Sequence, residues 1–207
     1  MDPVFLLSVK EYEPLVEAAE KRKNQLLVQA ADGKRAQPVA ETAGREEDPF
    51  IMAYLLNPSP QKRAVCKEIQ RLLGGIRIIN VSENSPKERE KNRHILEFDH
   101  VLGNIEVEDW VYYMNKAEFV VTDSFHGTCF SVIFQKRFLA FVNRQPGRFQ
   151  VFDQFSGLPE RIIKAEDMGI LMEKIESYLK PIDYETVEKE LEAARQESLE
   201  WLKRQLA

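Results

Sequence analysis

The sequence holds no apolar run long enough to cross a bilayer. Such a helix needs about 20 consecutive apolar residues, and the longest stretches here, such as 119–121 and 138–142, suit buried strands instead. A basic excess is also missing. With 29 Lys and Arg against 34 Asp and Glu, the net charge is -5, whereas a sequence-independent nucleic-acid binder needs cations to neutralise phosphates. Nucleic acid is therefore not expected as a partner. Cysteine is scarce: Cys66 and Cys129 lie far apart, with no Cys-x-x-Cys and no Cys/His pair at metal-ligand spacing. Both read as reduced structural thiols, the usual state in a cytosolic protein. His94, His100 and His126 are too scattered to suggest a metal site. The opening MDPVFLLSVKEYEP has no basic lead and an acidic second residue, unlike a signal peptide. The expected location is the cytoplasm.

What is present suits a globular chain. Its 207 residues, 43% hydrophobic and 30% charged, can build a real core as one domain with a tail or one large domain. Residues 2–7 read as extended. Residues 9–31 carry Leu15, Val16, Ala19, Leu26 and Leu27 at helical intervals. Residues 32–48, rich in Gly, Ala, Pro and charge, read as a flexible loop. Residues 50–56 (FIMAYLL) form a continuous apolar run, as in a strand covered on both faces of a parallel sheet. Ser59 and Pro60 then suit the cap and first position of a helix to about residue 73, which Gly74 and Gly75 end.

Strands are expected at 76–81, 118–122 and 138–142, with a short one at 162–163. Helices are expected at 106–116, 127–134, 149–155, 165–179 and 183–206, and a loop at 82–93. This alternation implies an α/β fold: a Rossmann-like open parallel sheet flanked by helices. The expected organisation is a lead segment, helix and loop over residues 1–48, an α/β domain over 49–182, and an amphipathic helix over 183–207. Val187, Leu191, Leu199 and Leu202 give that helix one apolar face.

In an open α/β sheet, ligands sit beyond the carboxyl ends of the strands. The loop after the strand at 118–122 reads Thr122, Asp123, Ser124, Phe125, His126, Gly127, Thr128. Gly127 permits a tight turn or a close approach. The helix start behind it offers unpaired N–H groups to an anion, and an imidazole can transfer a proton near neutral pH. Two readings stand at this point. Thr122, Asp123 and Ser124 either touch a ligand or only cap the helix, and His126 is either catalytic or a hydrogen-bonded structural residue.

The stretch from Thr122 to Thr128, followed by Phe130, Ser131, Val132, Ile133 and Phe134, resembles the signature of the polysaccharide pyruvyl transferase family. Residues 110–121 resemble the elements leading into that signature. Lys136, Arg137, Phe138 and Asn143 resemble the family's next strand and its end. The run from Arg148 through Gly157, Leu158, Pro159, Glu160 and Arg161 resembles a further segment, and residues 182–184 and 198–202 resemble the closing helix. Residues 2–7 resemble the start of the family's second half.

The resemblance implies the C-terminal half of a B-type glycosyltransferase fold. The implied activity is transfer of pyruvate from phosphoenolpyruvate to a sugar as a ketal, in the synthesis of exopolysaccharide or cell-wall polymer. No cofactor is implied; the partners are phosphoenolpyruvate and a nucleotide- or lipid-linked saccharide, met in the cytoplasm or at the inner face of the membrane. His126 is the implied proton donor or anion ligand. Thr122, Asp123, Ser124, Gly127, Thr128 and Asn143 are implied at the substrate, Asp123 holding the ring of His126 or a sugar hydroxyl. Arg144 and Arg148 are implied as anion clamps, because a guanidinium binds carboxylate or phosphate through two bonds. Gly103 and Asn104 are candidate nucleotide contacts, and Arg161 is expected to pair with a carboxylate. A family member has an N-terminal half that supplies the opposing wall of the cleft, so this chain is expected to be inactive alone, as an excised domain, a gene fragment or half of a split enzyme. The alternatives are half of a nucleotide-sugar glycosyltransferase and a non-catalytic interaction domain.

Overall fold

Five uncharged residues, Phe50–Tyr54, form strand β1, and all five are buried. Side chains alternate across a strand. Phe50, Met52 and Tyr54 therefore enter one core cluster, and Ile51 and Ala53 enter the other. A strand with both faces covered cannot carry a polar face, which is why this segment is an unbroken apolar run. The computed structural model describes residues 1–31, 48–82, 86–103, 105–142, 147–149, 152 and 156–206. The expected loop at 32–48 lies outside these apart from Asp48.

β1 pairs in parallel with β2 (Arg77–Ser82) on one side and β4 (Phe119–Thr122) on the other. The full sheet has six parallel strands in the order β3-β2-β1-β4-β5-β6, where β3 is His100–Gly103, β5 is Arg137–Phe141 and β6 is Ile162–Ile163. The Rossmann-like expectation is met. The order reverses between β1 and β4, and a crevice opens outside the carboxyl ends of the strands at such a point.

Helices cover both faces. On one, α1 (Val9–Ala31) brings Tyr12, Val16 and Ala19 against Val111, Tyr112 and Tyr113 of α5 (Val107–Lys116). The almost wholly buried α6 (Phe125–Ile133) lies beside them. On the other, α2 (Pro60–Leu72) buries Val65, Cys66 and Ile69 against Leu171 and Ile175 of α7 (Leu171–Tyr178). Ser59 caps α2 by accepting from the Lys62 N–H, and Gly74 and Gly75 follow at φ 77° and 80°, the left-handed conformation that glycine adopts without strain. Both cysteines are buried and unbonded; burial pushes the Cys66 thiol up to about 12 and raises that of Cys129 as well.

Several expectations change. Residues 2–7 are not extended: Pro3–Leu6 form a 3-10 turn, with the Asp2 carboxylate accepting from the Val4 N–H at 3.2 Å. The expected loop at 82–93 contains α3 (Pro86–Lys91), followed by α4 (Arg93–Leu96) and the unforeseen β3. The helix expected at 165–179 divides into a 3-10 turn, Ala165–Gly169, and α7. Of the helix expected at 149–155, only residues 149 and 152 are described, and both are helical, as are 147, 148 and 156 around it. Arg161 donates to the carbonyls of Tyr178 and Lys180, with the Glu160 carboxylate at 3.7 Å. The last helix, α8 (Tyr184–Leu206), buries Val187, Leu191 and Arg195, while Trp201 and Leu206 are exposed and Leu199 is half-buried. Its apolar face thus packs on the domain only over its first half. No helix among the described residues is long and apolar enough to cross a membrane.

Candidate active site at the switch point

The chain leaves β4 through polar residues that have no room to be idle. Thr122, fully buried, donates from Oγ1 to the Tyr54 carbonyl at 2.9 Å and accepts from the Ser124 N–H at 3.1 Å. This stitches the ends of β1 and β4 together. Asp123 is also buried. Its Oδ1 accepts from the Leu56 N–H at 2.6 Å, and its Oδ2 accepts from the Asn57 N–H at 2.9 Å and from Lys62 Nζ at 2.5 Å. One carboxylate thereby satisfies two backbone donors in the β1–α2 loop and a lysine from α2, as a buried anion requires.

Ser124 caps α6, its Oγ accepting from the Gly127 N–H at 3.3 Å. Thr128 Oγ1 donates back to the Ser124 carbonyl at 3.0 Å. Thr122, Asp123 and Thr128, expected at the substrate, have buried side chains that hydrogen-bond within and around this loop. A carboxylate beside the imidazole of His126 is that of Asp2.

Gly127 is a packing requirement. A Cβ there would sit 2.4 Å from Thr122 Oγ1 and 3.1 Å from Tyr54 Cδ1. Neither neighbour can yield without loosening the β1–β4 stitch. Gly127→Ala is expected to destabilise the fold by about 1–3 kcal/mol, read as a lower denaturant midpoint at unchanged slope. A midpoint equal to that of the parent would show that the loop relaxes freely.

A cleft of about 490 Å³ opens over the switch point. Tyr54 and Leu56 line it from the end of β1, Val81 and Ser82 from the end of β2. Ile105, Glu106, Val107 and Trp110 come from the start of α5, and Ser124, His126 and Phe130 from the start of α6. Trp110 meets Tyr54 and Phe130 edge-on, at centroid distances of 5.4 and 5.1 Å. The helix bearing it is fixed by the buried Asp109, which pairs with Arg22 of α1 at 2.8 Å.

The imidazole of His126 is 53% exposed in this wall. Its Nε2 lies 3.8 Å from Asp2 Oδ2, so a carboxylate stands beside the ring. The imidazole thus stands at the carboxyl edge of the sheet, in the wall of the cleft. Arg148 lies over the ring of Phe125, its guanidinium carbon 5.7 Å from the centroid, and is not among the cleft-lining residues. Gly103 ends β3 beside Ser82. Asn104, Asn143 and Arg144 lie outside the described residues. Asp2, Glu106 and Trp110 were not foreseen at the site; only the fold brings them to the loop at 122–128.

The family model of the polysaccharide pyruvyl transferases matches residues 1–145, the span that builds α1, β1 to β5 and the whole cleft wall. The chain belongs to the polysaccharide pyruvyl transferase family. The resemblances expected beyond Asn143, from Arg148 to residue 202, lie outside the matched span. No curated protein matches the chain. Among solved structures, it is similar to a UDP-GlcNAc 2-epimerase from Neisseria meningitidis bound to UDP-GlcNAc, at 13% identity and TM-score 0.46, over 91% of this chain and 52% of that one. It is also similar to MnaA of S. aureus in a co-structure with UDP, at 17% identity and TM-score 0.44, over 66% and 40%. A third, the UDP-GlcNAc 2-epimerase of Methanocaldococcus jannaschii, gives 15% identity and TM-score 0.44, over 69% and 44%. The chain thus spans only 40% to 52% of these structures.

Proposed function

We propose that this family member transfers pyruvate from phosphoenolpyruvate to two hydroxyls of a saccharide, and that His126 is the acid that starts the reaction. The observation that carries this reading is the half-exposed imidazole at the switch-point cleft, backed by the Asp2 carboxylate. The donor's methylene carbon takes a proton, a sugar hydroxyl adds to the neighbouring carbon and gives up its proton, and phosphate leaves. The second hydroxyl closes the ketal and releases a proton. His126 supplies the first proton, with the Asp2 carboxylate 3.8 Å from its Nε2. The chemistry runs without a resident cofactor.

The donor carries a carboxylate and a phosphate. Among the described residues, no Lys or Arg lines the cleft. Cationic groups for the donor must then come from elsewhere; Arg148, and Arg144 outside the described residues, are the candidates on this chain. We read the chain as one half of a longer or split enzyme, whose other half closes the cleft. Positioning and water exclusion depend on that second wall. The isolated chain is therefore expected to release little phosphate from phosphoenolpyruvate with any acceptor sugar, and robust turnover by it alone would overturn the two-wall reading. If phosphoenolpyruvate yields neither phosphate nor a pyruvyl ketal with the full-length polypeptide, across acceptors, the transfer reading itself is wrong.

A further inference from the structure

The walls of the cleft sort the two substrates by charge. Tyr54, Trp110 and Phe130 make it apolar on one side. The hydroxyls of Ser82 and Ser124 and the carboxylate of Glu106 are polar points on its rim. Glu106 is exposed and, among the described lining residues, no lysine or arginine offsets it. An anion with two charged groups would meet a like charge here, which disfavours it. An uncharged pyranose meets the opposite situation. Its C–H face suits an apolar aromatic wall, and adjacent hydroxyls can donate together to one carboxylate, a charge-assisted contact that stands out in a site of few polar groups.

We infer that this cleft is the subsite for an uncharged pyranose of the acceptor, with Glu106 accepting hydrogen bonds from neighbouring sugar hydroxyls and Trp110 forming the floor, while the anionic donor enters from the His126 side. The inference rests on the pyruvyl-transfer reading only for the word acceptor; the binding itself is separable. Glu106 holds its place because it is the N-cap of α5, paired with Asp109 in a reciprocal capping box. Its backbone N–H donates to Asp109 Oδ2 at 3.4 Å. The carboxylate that reads the sugar is thereby anchored to the helix that carries Trp110, so floor and reader move as one unit.

The sequence supplies its own reporter. It has 2 tryptophans. Trp110 lines the cleft, and its buried indole N–H has no partner among the described residues. Trp201 is 57% exposed on the second half of α8. The two indoles can be followed in a nitrogen–hydrogen correlation spectrum while the chain is titrated with methyl glycosides of galactose, glucose and mannose, and separately with phosphoenolpyruvate and with inorganic phosphate. At least one glycoside is expected to shift Trp110 and leave Trp201 in place. Glu106→Gln, which keeps an oxygen for the cap, is expected to weaken that binding by at least about tenfold. Three results would each overturn the inference: no glycoside moves Trp110, only the anions move it, or both indoles shift alike. Unchanged glycoside affinity in Glu106→Gln would remove Glu106 from the subsite. Failure of the transfer reading appears in phosphate release and ketal formation, not in this titration, so the two failures are told apart.

Discussion

Exchange of His126 for Gln is expected to lower phosphate release from phosphoenolpyruvate by roughly 100- to 10,000-fold in the full-length polypeptide, the range over which general acid catalysis contributes. Glutamine keeps polar contacts but cannot deliver a proton near neutral pH. The side chain is 53% exposed and lies in the first turn of α6, so its exchange leaves no cavity and the melting temperature should stay close to the parent's. Loss of turnover without loss of stability is the signature of a chemical role. A rate within a few-fold of the parent's would reduce the ring to a lining residue and move the acid elsewhere.

The second large effect concerns folding. Asp123→Ala is expected to cost about 3 kcal/mol, the lower end of the range for breaking a buried ion pair, because Lys62 keeps 13% side-chain exposure and can turn partly toward water. The change removes the acceptor of the Leu56 and Asn57 N–H groups and leaves the ammonium of Lys62 with the Asn57 carbonyl, and each part-buried donor left unpaired carries a desolvation penalty. For a chain of this size the melting temperature should fall on the order of 10 °C. Asp123→Asn should fall less, since the amide oxygen still accepts. Thermal melts of both, read beside His126→Gln, separate residues that build the loop from the one that works on it. A parent-like melt of Asp123→Ala would mean that water replaces the carboxylate without loss.

The sequence announced those elements whose burial is lopsided or complete. β1 was readable because all five of its residues are buried, which forces an uninterrupted apolar run. β3 was not, because it is an edge strand of four residues with only Leu102 buried, and no periodicity survives in so few positions. The 3-10 turn at Pro3–Leu6 was likewise hidden. Its apolar residues follow a proline and look extended, and only the capping bond from the Val4 N–H to Asp2 reveals the turn. At the site, the order Thr-Asp-Ser-Phe-His-Gly pointed to the right loop but not to the division of labour within it. A buried carboxylate and a partly buried one are spelled alike, and the partners that distinguish Asp123 from Asp2 lie some 60 residues or more away in sequence. Glu106 and Trp110 carried no mark of their own, since a glutamate before a helix and a tryptophan within it serve equally well as a cap and a core residue.

The neighbour of the imidazole, Asp2, belongs to a turn whose Phe5 carbonyl accepts from the buried Arg195 Nε at 2.8 Å and whose Val4 carbonyl accepts from the Tyr12 hydroxyl at 3.0 Å. The turn that carries the neighbour of the imidazole is thus held by a residue nearly two hundred positions further along the backbone. A lesion at Arg195 of α8 would reach the turn that carries Asp2 through a single hydrogen bond. Enzymatic sensitivity in such a molecule need not map onto the walls of its groove.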